Sequence, residues 1–271
     1  MITPRRSSAP PLRSSAEQRR GDPERRLITR ILVVQPEVDD PAHLFGEWLE
    51  EAGCSLDVVH PYAGDPVPTL DGYAGLLVMG GAMSANDDEV LDWIGPVKEL
   101  IRDAVTEGVP ALGICLGHQL MGAALGGRVT PNPGGQQVGL IPVGWTDAAA
   151  GDRLFGGLAT PRRGVQWNYD LLVEPPAGAV VLAQTPDGEV QVARFGPKAW
   201  GVQLHPEVDE TIVGTWVTDS ERGELADRGL DADALLGEIK DAREELDHAW
   251  APLAAGFADV ALGPASPNPA T

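Results

Sequence analysis

Pro110-Ala-Leu-Gly-Ile-Cys115-Leu-Gly-His-Gln-Leu120-Met-Gly-Ala-Ala-Leu125 is the stretch that decides how this chain folds. Pro110–Ile114 is a short apolar run, the pattern of a buried strand, and Leu116–Leu125 reads as a helix. Between them stands one cysteine, with Gly113 two residues before it and Gly117 two after. Small residues at that spacing let a strand turn sharply into a helix and present the central side chain at the corner, as in the G-x-S-x-G elbow. Cys115 is then at a helix N-terminus, where unpaired N–H groups and the positive dipole end favour thiolate over thiol. On this segment alone, a buried structural cysteine is the competing reading.

The same alternation continues outward. Arg30–Gln35, Leu56–Val59 and Gly75–Met79 read as buried strands. Ala42–Ala52 reads as a helix stopped by Gly53, and Glu89–Glu107 as a helix with a break expected at Gly95-Pro96 and a stop at Gly108. Short apolar strands alternating with helices predict an α/β fold, a layered open sheet that is largely parallel. The second half is richer in strands: Val138–Val143, Val165–Trp167, Ala179–Ala183, Val190–Ala193 and Ala199–Leu204 all look extended. A helix is expected from about Glu210 to Val217. A helical C-terminal extension follows, its clearest piece Ala232–Trp250.

The bulk numbers narrow the function classes. With 271 residues, 43% hydrophobic and 22% charged, the chain has the composition of an ordinary globular protein. Its formal net charge of −20 repels phosphate backbones, so no nucleic-acid partner is expected. No apolar stretch approaches the roughly 20 residues of a membrane span, and the arginine-bearing N-terminus lacks an apolar h-region. The expected setting is therefore cytoplasmic, without membrane association. Two cysteines, Cys54 and Cys115, make no disulfide framework and no metal-binding pair, so neither a metal nor a cofactor is called for. Cys54 is assigned a structural role. Residues 1–28, rich in Arg, Ser and Pro, read as a disordered basic arm, with a docking arm or transit peptide as alternatives, and 263–271 as a disordered tail.

Two further segments carry chemistry. Trp200-Gly-Val-Gln-Leu-His205-Pro-Glu207 ends a strand. A thiolate nucleophile needs an imidazole beside it, and the imidazole needs an anion on its other nitrogen; Glu207, two residues on with Pro206 between, suits that task. Val78-Met-Gly80-Gly81-Ala-Met-Ser84 follows a strand, where a Gly-Gly loop brings backbone N–H groups close to a ligand. Gly81 N–H and Leu116 N–H are the candidate oxyanion donors.

Together the three segments resemble the class I (triad-type) glutamine amidotransferases: a Gly-Gly loop, G-x-C-x-G-x-Q, and H-P-E about ninety residues later. Leu125-Gly126-Gly127, Trp167-Asn168-Tyr169-Asp170 and Trp216 agree in order, and the likeness is greatest to the free-standing GMP-synthase-like members. The resemblance implies a flavodoxin-like sheet with helices on both faces over residues 29–218; the helical extension expected over 219–262 lies beyond the stretch it covers. It implies Cys115, His205 and Glu207 as catalytic, Gly81 and Leu116 as the oxyanion hole, and Gly80, Gln119, Asn168 and Tyr169 as substrate contacts. The implied reaction is hydrolysis of the glutamine side-chain amide through a γ-glutamyl thioester.

Two departures stand out. Relatives usually carry His where Asn168 stands, and often Glu near Gln136-Gln137-Val-Gly139. They leave a γ-glutamyl peptidase acting on glutathione-like compounds as the alternative, and a non-enzymatic regulatory module as a third reading. The chain has no G-x-x-x-x-G-K-[ST] loop and no S-G-G-x-D-S loop. Any ammonia acceptor is therefore expected to be a separate synthetase chain.

Overall fold

The computed structural model describes residues 29–263; the arm expected over 1–28, and the expected tail beyond Gly263, lie outside the described residues. The strands are β1 (Thr29–Val34), β2 (Cys54–Val59), β3 (Gly75–Val78), β4 (Ala111–Ile114), β5 (Arg128–Pro131), β6 (Gln137–Pro142), β7 (Arg163–Asn168), β8 (Asp170–Glu174), β9 (Val180–Gln184), β10 (Val190–Gly196) and β11 (Ala199–Val202). The helices are α1 (His43–Glu51), α2 (Ile94–Glu107), α3 (Leu116–Ala124), α4 (Glu210–Trp216), α5 (Asp219–Asp227), α6 (Ala232–Asp241) and α7 (Arg243–Leu262).

Seven strands form one sheet in the order β2-β1-β3-β4-β11-β10-β9. The first five pair in parallel; β10 and β9 close one edge antiparallel. Both faces are covered, which is why β1 and β3 read as unbroken apolar runs. Alternate residues serve opposite cores. Ile31 and Val33 pack with α1 and α7, whereas Leu32 and Val34 pack with α2 and α3. The open α/β sheet with helices on both faces is as the sequence predicts. Two antiparallel ribbons, β5–β8 and β6–β7, stand apart from the main sheet.

Several expected boundaries move. The helix predicted over Glu89–Glu107 begins only at Ile94, and Pro96 lies in its first turn and does not break it. In the first turn an N–H has no intrahelical acceptor, so proline costs nothing there. The stretch Ala232–Trp250 is two helices, parted at Ala242, and the second runs on to Leu262 through Pro252. That helix persists despite the lost backbone bond because Leu246, Trp250, Leu253, Phe257 and Val260 bury one face in the main core. Trp250 Nε1 also donates to Arg163 O at 3.0 Å, tying α7 to β7. β5 and β8 are absent from the sequence reading: β5 has no apolar run, and the one in β8, Leu171-Leu172-Val173, is three residues long.

The parallel strands β1, β3, β4 and β11 all point their carboxyl ends to one edge, where open α/β sheets bind ligands. The three chemical segments leave the sheet there, together with the loop after β1. Two glycines make the central turn possible. A Cβ at Gly113 would lie 2.4 Å from the Gly117 carbonyl oxygen, and one at Gly117 would lie 2.1 Å from Val78 O. Both obstacles are backbone, so neither can step aside.

Gly117→Ala is expected to destabilise the fold by about 3 kcal/mol or more, or to prevent folding. Gly95→Ala, whose Cβ meets nothing within 4 Å, should be neutral or stabilising by up to about 1 kcal/mol. Urea unfolding followed by circular dichroism separates the two; equal midpoints contradict the packing account.

Candidate active site

Cys115 caps the N-terminus of α3 with φ 50° and ψ −106°, one of two non-glycine residues with positive φ among the described residues. Such a conformation costs about 1–3 kcal/mol and needs surrounding structure to hold it. Two backbone bonds do so: Cys115 N–H donates to Val202 O at 2.8 Å, and Gln119 N–H donates to Cys115 O at 3.1 Å. The side chain is buried but lines a cavity of about 370 Å³.

His205 reaches the same cavity from the segment after β11. Its backbone N–H donates to Val165 O at 2.7 Å, so the β6–β7 ribbon anchors it. Its Nδ1 lies 2.7 Å from Glu207 Oε1, and its ring packs against Trp216 with centroids 4.7 Å apart. Both members of this pair are almost wholly buried. Burial alone lowers the basicity of His205, yet the Cys115 sulfur and the Glu207 carboxylate outweigh it and hold the imidazole well above the usual histidine range. Nε2, the remaining ring nitrogen, has no hydrogen-bond partner. A buried imidazole nitrogen left open toward a cavity is free to exchange a proton with something bound there.

The other expected residues fall in two groups. Gly81, Gln119, Asn168 and Tyr169 line the cavity. Gly80, Leu116 and Glu207 are not on its wall. Leu116 opens α3, where a backbone N–H has no carbonyl one turn back. Gly80 is pressed from behind: a Cβ there would lie 2.5 Å from Asp40 Oδ1 and 3.3 Å from His205 Cε1. Gln119 Nε2 is committed to Asp170 O at 2.9 Å and Gln203 Oε1 at 3.2 Å. Asn168 donates to Asp170 O at 3.0 Å, while its buried Oδ1 has no partner. Tyr169 turns outward to α5, its hydroxyl 3.1 Å from Glu221 and 3.0 Å from Glu224. Burial and these two carboxylates push its phenol pKa up.

Sequence reasoning missed four neighbours. Glu37 Oε2 accepts from Ala82 N–H at 2.8 Å and so braces the Gly-Gly loop. Asp40 is 6% exposed and lines the cavity. Burial, with Glu207, Glu37 and Asp39 nearby, pushes its pKa up to about 7 against the opposing effect of His205. No periodic signal marks either residue, because the loop after β1 is irregular. Glu221, from α5, also lines the cavity and accepts from Gln136 Nε2. Gln203, fully buried, has its Nε2 3.6 Å from Cys115 Sγ. It stands just past the end of β11, two residues before His205, and no local signal marks it.

His118, beside the nucleophile elbow in sequence, is a core residue. It is wholly buried against Phe195 with ring centroids 5.4 Å apart, and burial pushes its pKa down to about 4. Among the described residues no cluster of three or more His, Cys, Asp or Glu could hold a metal, and no helix is long and apolar enough to cross a membrane.

Comparison with known proteins gives the family and the fold. The family model for glutamine amidotransferase class-I matches residues 43–220. The chain is 34% identical over 184 residues to a glutamine-hydrolysing GMP synthase of Aeropyrum pernix, covering 66% of this chain but only 33% of that protein. It thus spans about a third of that relative's length. It is 33% identical over 175 residues to a glutamine-hydrolysing GMP synthase subunit of Saccharolobus solfataricus, covering 64% of this chain and 86% of that one. The crystal structure of a glutamine amidotransferase from Methylobacillus flagellatus superposes with a TM-score of 0.74 at 27% identity, over 85% of this chain and 94% of its own. With its elbow, its Gly-Gly loop and its H-P-E segment gathered at one sheet edge, the chain belongs to the class I glutamine amidotransferase family.

Proposed function

We propose that this chain hydrolyses the side-chain amide of glutamine, with Cys115 as nucleophile, His205 as acid and base, and Glu207 as the group that holds His205. The observation that carries the reading is the convergence of Cys115 and His205 on one cavity, with Glu207 2.7 Å behind the imidazole. The Cys115 sulfur attacks the amide carbon while Gly81 and Leu116 N–H groups stabilise the oxyanion. The C–N bond then breaks as His205 Nε2 gives its proton to the departing nitrogen, releasing ammonia. Water attacks the γ-glutamyl thioester with His205 taking its proton; the C–S bond breaks and glutamate leaves. Gln119, Asn168 and Tyr169 are proposed to hold the amino-acid end, with Gly80 shaping the loop beneath.

Ammonia is proposed to pass to a synthetase on a separate chain. The Saccharolobus relative supports this, since its name makes it one subunit of a synthase and it is matched over most of its length. One observation favours a second reading. Glu37, Asp39 and Asp40 line the same cavity as His205. A carboxylate wall there suits a leaving group that carries a further, positively charged amine, as in the γ-glutamyl amide of a diamine.

Cys115→Ala should lower ammonia release from glutamine by about 10⁴-fold or more while leaving the fold intact. Unchanged turnover sinks the covalent route. Glu207→Gln should cost about 10²–10⁴-fold in kcat/KM. Glu207 helps hold His205 protonated above its ordinary range, so without that charge the imidazole loses its proton at lower pH. The alkaline limb of the pH–rate profile should therefore move down. Kinetics on glutamine, glutathione and the γ-glutamyl amide of a diamine tests the substrate: a higher kcat/KM for that amide than for glutamine selects the second reading.

A further inference from the structure

β4 and β11 are neighbours in parallel register, with Ile114 opposite Val202. Cys115 and Gln203 are the residues just past these two strand ends, and their side chains meet. Gln203 is wholly buried, and an amide buried so completely demands partners for both its ends. Its Oε1 accepts from Gln119 Nε2 at 3.2 Å, and its Nε2 lies 3.6 Å from Cys115 Sγ.

The direction of this chain is dictated from its far end. The backbone oxygen of Asp170 can only accept, so the end of Gln119 that meets it at 2.9 Å is the amide NH₂. The same NH₂ meets Gln203, which must therefore answer with its oxygen. That leaves the NH₂ of Gln203 facing sulfur. Turning Gln203 over would set two NH₂ groups against each other and an oxygen against the sulfur. A hydrogen bond to an ionised acceptor is roughly twice as strong as one between neutral groups. The relay therefore favours the anionic sulfur over the neutral thiol, and it favours the sulfur again when the thioester C–S bond breaks.

We propose that Gln203 is a further catalytic residue, whose side-chain amide donates to the Cys115 sulfur and stabilises it as thiolate, with Gln119 as the positioning residue that orients it. This rests on the reading of Cys115 as the reactive nucleophile, but not on the identity of the substrate. The proposed imidazole partner and the Gln203 amide then act on one atom from two residues of the segment that follows β11.

The test is iodoacetamide alkylation of Cys115 in the full chain, followed by peptide mass spectrometry so that Cys54 is scored apart. Gln203→Met keeps the volume and removes the donor; Gln203→Glu keeps the acceptor toward Gln119 and sets an anion against sulfur. Each folded variant should alkylate about tenfold more slowly at neutral pH, Gln203→Glu the slower of the two, with the rate recovering at alkaline pH. Slower alkylation at every pH points to lost access, not a lost donor, and overturns the proposal, as does a rate equal to that of the unsubstituted chain. A measurement on the unsubstituted chain covers the case in which both variants fail to fold. The Gln203 side-chain NH₂ resonance should move as Cys115 gains reactivity with pH, and should stay still in Cys115→Ala. Immobility in both chains overturns the proposal. If the unsubstituted chain shows this alkylation behaviour yet releases no ammonia from glutamine, the glutamine reading fails and the role of Gln203 stands. Turnover of glutamine with alkylation indifferent to Gln203 leads to the opposite conclusion.

Discussion

The structure depends on one close approach: the first turn of α3 lies directly against the carboxyl end of β3, with no side chain between Gly117 and the Val78 carbonyl. That contact sets how sharply the chain can leave β4, and with it the positive φ of Cys115. Backbone strain of this size persists only where rigid neighbours over-determine the geometry. Here the neighbours are two parallel strands on either side of β4, both buried on both faces. The proposed nucleophile is thus presented from between two buried strands in the middle of the sheet.

Electrostatics divides the site into a buried pair and an acidic approach. The His205–Glu207 pair is sealed from solvent, where paired charges interact strongly and an unpaired one is costly. Asp40 adds a second carboxyl beside the same imidazole, yet burial and like charges keep it near the boundary of ionisation at neutral pH. Outside these lie Glu37, Asp39, Asp170 and Glu221 on the cavity wall. Part of the chain's net charge of −20 is therefore concentrated on the cavity wall.

The C-terminal helices belong to the same architecture. α7 fills the hydrophobic core on the α1 face, and α5 supplies Glu221 to the cavity while Glu221 and Glu224 flank the Tyr169 hydroxyl. The residues after α4 therefore both close the core and shape the cavity mouth. The site draws on loops after four parallel strands, on the β6–β7 ribbon and on α5, elements from both halves of the chain.

The sequence by itself determined the alternating α/β pattern, the elbow at Gly113–Gly117, the H-P-E segment and the Gly-Gly loop, because each is a local rule of sterics or hydrogen bonding written in adjacent residues. It did not reveal the ribbon β5–β8, whose apolar runs are absent or short and whose strands are ordered by pairing with each other and by Val129 and Leu172 packing into the core. Nor did it reveal the break at Ala242, which is no stronger a local stop than its neighbours. Asp40, Glu221 and the Gln119–Gln203 relay were decided by tertiary structure alone. Their significance comes from strand register and from burial beside Cys115 and His205, and both are properties of residues far apart along the chain.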